Sequence, residues 1–200
     1  MRVSDALGQI AHIHEHLTKA EVYRGFRPQC VAASGLLGLA AAAAQPWFVG
    51  EDATAFVRFW LIVAAVCGAI GVSATVRAYL VRDDEYVRRH ARRVAGQFVP
   101  CVVAGVAVTI LLSRARPEAV ALLPGLWAVL FSMGVFSARP YLPHATGWVG
   151  LFYLMCGAAL LSAAPADLGQ AGWAVAGVFA AGQLATAFVL HRNEERAFDV

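Results

Sequence analysis

Three histidines at alternate positions, His12, His14 and His16, surround Glu15 in the stretch AHIHEHLTKAEVYRGFRP, residues 11–28. Imidazole and carboxylate groups are ligands of zinc and copper, so the first chemistry to weigh is metal binding. Helical spacing divides the set. At about 100° per residue, His12 and His16 share a face with Asp5, Gln9 and Lys19. His14 turns to the opposite side, into the stripe of Val3, Leu7, Ile10, Ile13 and Leu17. An i, i+4 histidine pair can clip a metal ion, but a stable site takes a third and usually a fourth ligand. Those would have to come from His90, His144, His191 or another subunit. His12 and His16 are therefore the candidate metal pair, and no other cofactor is expected. The competing reading is a solvated polar face, with His14 packed beneath the helix.

A second polar cluster is VRDDEYVRRHARRV, residues 81–94. Asp83 reads as a helix N-cap, with Asp84 and Glu85 in the first turn. Asp84–Arg88 and Glu85–Arg89 are i, i+4 pairs in the favourable order. Arg88, Arg89, Arg92 and Arg93 stand just before an apolar run, where each would gain about 1 kcal/mol from anionic headgroups. A topology anchor alone would use the same residues. In the third cluster, SARPYLPHATGW, Pro140 and Pro143 predict a non-helical link that places His144 at the start of the next apolar run.

No catalytic residue is assigned. An intramembrane serine protease would need a histidine facing a serine such as Ser34 within the apolar runs, and no histidine lies inside one. Asp83 and Asp84 are adjacent and suit a cap better than a spaced metal pair. The chain has no Walker-type phosphate loop, no lysine in an apolar run to form a Schiff base, and no histidine pair at matching depth for a haem.

The elements that carry these residues follow from composition. The chain is 60% hydrophobic and only 14% charged, with mean hydropathy +0.62, whereas soluble domains carry about 25% charge. Charge is segregated into short clusters between long apolar runs. Six runs approach the roughly 20 residues needed to cross a bilayer: Cys30–Phe48, Phe59–Val76, Val94–Ser113, Ala119–Ala138, Ala145–Ala164 and Ala171–Leu190. The first is weakened at its far end by Gln45 and Pro46. The turns QPWFVGED, SRARPEA and SAAPADLG each hold a proline, which predicts that the preceding helix stops there.

The expected fold is all-α: a polytopic membrane bundle of six transmembrane helices in three hairpins, preceded by an amphipathic cytosolic helix. Residues 1–27 form the amphipathic segment, 28–190 the membrane domain and 191–200 a cytosolic tail. With both termini inside, thirteen of the sixteen basic residues are cytosolic, and only Arg58, Arg114 and Arg116 lie outside. No cleavable signal peptide is expected, because no apolar h-region precedes the first long run. Fifteen arginines to one lysine, with abundant alanine, follow the habit of GC-rich bacterial genomes. The expected location is thus a bacterial inner membrane. The net charge of +3 belongs to orientation, so nucleic acid is not an expected partner; membrane lipids are.

The four cysteines fall in or beside different spans and read as small buried hydrophobes. The five tryptophans read as an interfacial belt. Small residues at four-residue spacing (Gly177, Ala181 and Ala185; Ala64 and Gly68; Ala158 and Ser162) predict close helix packing within the bundle, or else a subunit interface. The first and third hairpins share Ala/Gly-rich strings, from tandem duplication or from common span chemistry.

Three readings of function stay open. The uncharged interior and the lack of a catalytic set point to a non-catalytic protein that binds or transports a small neutral or lipid-like ligand. The alternatives are a structural or regulatory subunit of a membrane complex, with a second copy or another membrane protein as partner, and a membrane enzyme or metal sensor using His12, His14, His16, His90, His144 and His191.

Overall fold

The computed structural model describes residues 27–81 and 85–198. The amphipathic segment with His12, His14 and His16, and the Asp83 cap, lie outside the described residues. Every described element is helical: α1 (Pro28–Phe48), α2 (Ala53–Val81), α3 (Glu85–Ala115), a short 3-10 helix (Pro117–Leu122), α4 (Leu123–Ala138), a 3-10 turn (Arg139–Tyr141), α5 (Thr146–Ser162) and α6 (Leu168–Phe198). Five stretches are long and apolar enough to cross a membrane: Pro28–Phe48, Ala53–Ser73, Arg92–Ala115, Glu118–Tyr141 and Leu168–Asn193. Thr146–Ser162 is a shorter apolar helix. Length and composition are those of an integral membrane protein.

Local chemistry sets several ends. The Thr54 amide donates to Asp52 Oδ1 (2.8 Å), and the Gln170 amide donates to Asp167 Oδ1 (2.7 Å). These carboxylates satisfy amides at the starts of α2 and α6 that have no partner within the helix. Helix α3 ends at Ala115 and α5 at Ser162, just ahead of Pro117 and Pro165, as the sequence predicts. Pro46 does not end α1: the helix runs through it to Phe48. Within the last turn a missing amide costs little, and the Val49 amide still reaches the Gln45 carbonyl (3.0 Å). The link at Pro140 and Pro143 is one 3-10 turn followed by extended backbone at Leu142.

The helices form a ring in chain order, closed by α6 against α1, and α4 also touches α6 across the ring. The closest pairs are α1–α6 and α4–α5, which join different hairpins. Glycine makes both possible. A methyl on Gly35 would lie 3.1 Å from Gln183 Cβ and 3.3 Å from the Ala180 carbonyl. A methyl on Gly125 would lie 2.9 Å from the Gly157 carbonyl, and one on Gly157 would lie 2.9 Å from the Gly125 carbonyl. Such backbone approach is how membrane helices associate when lipid offers no hydrophobic drive.

The small-residue stripes read from the sequence are not these contacts. Gly177, Ala181 and Ala185 are exposed, as are Ala64 and Gly68, and Ala158 and Ser162. Alanine and glycine recur on every side of these helices, so their spacing does not select a face. Bulky neighbours do: Tyr153 is fully buried, and its ring occupies the space that a side chain on Gly182 would need.

Among the described residues the core is unevenly distributed. At one end a large cluster joins α1 (Ala41, Ala42), α2 (Phe56, Val57, Trp60), α4 (Leu123) and α6 (Ala171, Val175). At the other end the clusters are small and mostly pairwise: Val31 with Ala187 and Leu190 between α1 and α6, and Val94 with Ala138 between α3 and α4. Neither includes α2, whose Val66, Val72 and Val76 are exposed.

Candidate functional site

Between the two ends of the bundle is a cavity of about 230 Å³, open on the side where Ala64 of α2 and Val102 and Val106 of α3 are exposed. Five helices wall it, and α5 is held away by the α4–α6 contact. Glycines on α1 and α3 make the room. Gly38 faces open space, with no atom within 4 Å of where its Cβ would stand, and beside Gly105 only Leu130 comes that near. Bulk comes from Trp60 on α2, Phe98 on α3, Trp127 and Phe131 on α4, and Phe179 on α6. None of the described residues lining it is charged.

The dense end is sealed by a polar bridge inside an aromatic cluster. Gln45 is buried; its Nε2 donates to the Leu168 carbonyl (2.8 Å), and its Oε1 accepts from Trp60 Nε1 (2.7 Å). One amide thereby ties α1, α2 and α6. Trp60 is edge-on to Phe59 (5.7 Å), and Phe56 lies parallel to Trp127 (6.5 Å between ring centres). Trp127 Nε1 donates to Thr109 Oγ1 (2.8 Å), and Thr109 Oγ1 donates to the Gly105 carbonyl (2.6 Å). Beside the cavity Phe131, Tyr153 and Phe179 meet with ring centres 4.8–5.4 Å apart.

The belt reading of the tryptophans is corrected here. Trp47 (80% exposed), Trp148 (75%) and Trp173 sit outside, whereas Trp60 (3%) is internal and Trp127 half-buried. A buried indole N–H needs an acceptor, and Gln45 and Thr109 supply them. Gln45, which reads in sequence as an interruption, is the acceptor that lets Trp60 turn inward.

Nearly every polar side chain on the cavity wall is satisfied by the protein. Ser34 Oγ donates to the Val31 carbonyl (2.7 Å), and Cys67 Sγ donates to the Ser34 carbonyl (3.4 Å). The exceptions are the thiol of Cys101 on α3 and Gln183 on α6. Gln183 lines the cavity half-buried, and its side-chain amide makes no hydrogen bond among the described residues. An uncompensated amide in an apolar medium costs about 2–7 kcal/mol, depending on the reference solvent. Sequence reading passed over Gln183; the available signal was a lone amide near the centre of the last apolar run.

The residues singled out from sequence lie elsewhere. His144 is exposed beside the start of α5, and His191 is exposed in the last part of α6, with Arg192 over the Phe188 ring (5.2 Å). Arg92 and Arg93 are exposed where the apolar stretch of α3 begins. Arg88, Arg89 and His90 lie on the first turns of the same helix. Among the described residues no three of His, Cys, Asp and Glu converge as a metal site requires. All four cysteines are free and half-buried.

Fold and cavity define a class: a helical integral membrane protein with an apolar chamber at its centre. No family model, curated protein or solved structure matches the chain.

Proposed function

We propose that the chain is a six-span inner-membrane protein that binds or carries a small neutral or lipid-like molecule in this cavity. The observation behind it is the cavity itself: room between five helices, apolar walls, and no charge among the described residues that line it. A dry cavity of about 150 Å³ holds a benzene-sized molecule, so 230 Å³ suits a ligand of about nine non-hydrogen atoms, or one segment of a longer chain. Catalysis has less support, because the hydroxyl of Ser34 is committed to a backbone carbonyl and no imidazole lines the wall. At 17 residues, α5 is at the short end of the spanning range and serves as the sixth span, packed on α4. Both termini face the cytoplasm by the charge asymmetry, with Arg88, Arg89, Arg92 and Arg93 holding anionic headgroups there. The open side of the cavity, at Ala64, Val102 and Val106, is the route by which a molecule dissolved in the bilayer enters.

The test uses Trp60 and Trp127 as reporters. A variant carrying Trp47→Phe, Trp148→Phe and Trp173→Phe is placed in lipid nanodiscs and titrated with bromoheptane. Saturable quenching is expected, and adding Gly38→Leu, which fills the chamber, should abolish it. Linear quenching of the same slope with and without Gly38→Leu would show that nothing enters.

A further inference from the structure

The cavity wall carries more information about the ligand than its volume does. We propose that Gln183 is a specificity-determining residue, and that the ligand carries one neutral hydrogen-bonding group, a hydroxyl, carbonyl or amide, on an otherwise apolar body. The inference rests on the cavity being a binding site, as proposed above, and adds the polar half of the ligand's chemistry.

The argument is one of elimination on the wall. A side-chain amide offers two donor hydrogens and a carbonyl acceptor. Inside a bilayer there is no bulk water to satisfy them, so polar groups there pair with one another or mark a functional site. The Cys101 thiol has no partner among the described residues, but as a weak donor it loses little by that. Ser34, Cys67, Trp60, Trp127 and Thr109 are each paired within the protein. Gln183 is not, although its helix neighbour across α1 is close: the Gly35 backbone lies against Gln183 Cβ. That contact holds the start of the side chain in place, next to the α1–α6 seam and on the cavity wall. A residue sited there is within reach of a group entering the cavity and is not a headgroup anchor. Counting from Leu168, it lies about 22 Å along the helix, and from Asn193 about 15 Å, at 1.5 Å per residue. Both distances put it deep in the span. No acid or base lines the wall among the described residues, so a charged ligand group would enter without a counter-ion. A neutral group meets its partner in the amide. The far end of the chamber, at Trp60, Trp127 and Val175, has no unpaired polar side chain, and takes the apolar body.

The experiment compares two probes of similar size, bromohexanol and bromoheptane, in the same Trp60/Trp127 reporter protein. Gln183→Met keeps the length of the side chain and removes its hydrogen-bonding groups; Gln183→Leu is the second variant, and both are checked for unchanged elution and helix content. Taking the alcohol-to-alkane affinity ratio within each protein and comparing the ratios across proteins cancels the difference in lipid partitioning. The ratio is expected to fall about tenfold in both variants, with bromoheptane itself binding as well or better. An unchanged ratio, with saturable binding of both probes, would overturn the role of Gln183 and leave the cavity reading standing. Absence of saturable quenching by either probe in the unsubstituted cavity would overturn both.

Discussion

Gln45 and Gly172 form the most sensitive spot in the described structure. The Gln45 amide fills the space that a side chain on Gly172 would occupy, while accepting from Trp60 and donating to Leu168. Gln45→Leu leaves a buried indole N–H without an acceptor, which costs about 1–3 kcal/mol. Gly172→Ala pushes a methyl into the amide, with a cost of similar size. Thermal unfolding in detergent is expected to show both as a lowered midpoint. Because the two changes act on one contact, Gly172→Ala should cost less in a Gln45→Ala background than alone. At this scale the sequence was least legible. Gln45 and Trp60 are fifteen positions apart across a turn, and they meet only because α1 and α2 run back alongside each other. Trp60 and Trp127 share the amphipathic chemistry of Trp47 and Trp148; only the acceptors Gln45 and Thr109 mark them as internal. Gln183 was equally hidden, since one amide in an apolar run carries no periodic signal.

The positions of the helices were legible, their ends only to within several residues (the run Phe59–Val76 lies inside α2, Ala53–Val81), and their faces were not. Long apolar runs between charge clusters fix where helices lie, and Pro117 and Pro165 fix two of their ends. The side of each helix that meets a neighbour is decided by shape, and Ala/Gly-rich sequence looks alike all round. Substitution separates the two kinds of glycine. Gly157→Leu drives a side chain into the Gly125 carbonyl and the Val129 backbone, and the α4–α5 pair is expected to lose about 1–3 kcal/mol or more. Gly177→Leu, on an exposed face with nothing within 4 Å of the added Cβ, should leave the unfolding midpoint within about 0.5 kcal/mol of its starting value. If the two behaved alike, the packing order of the ring would be wrong. The capping carboxylates Asp52 and Asp167 also escaped notice, though each stands just before an apolar run, where a cap belongs.

The whole molecule is asymmetric along its axis. Hydrogen bonds and stacked rings knit one end, around Gln45, Phe56 and Trp127, while among the described residues the buried clusters at the other end are small. An energised membrane holds a voltage, and each elementary charge that moves across 100 mV releases about 2.3 kcal/mol. A chamber open at both ends, or strung with titratable groups, would short-circuit that store. Here the aromatic end acts as the dielectric of a capacitor: it holds no continuous row of ionisable side chains among the described residues, and its few polar groups are locked to one another. Proteoliposomes loaded with a potassium gradient and valinomycin are expected to hold their potential as well as protein-free vesicles. Gln45→Ala, which leaves a gap in that layer, is the substitution expected to make them leak. A leak confined to Gln45→Ala would show that this layer is what keeps charge from crossing a hollow protein.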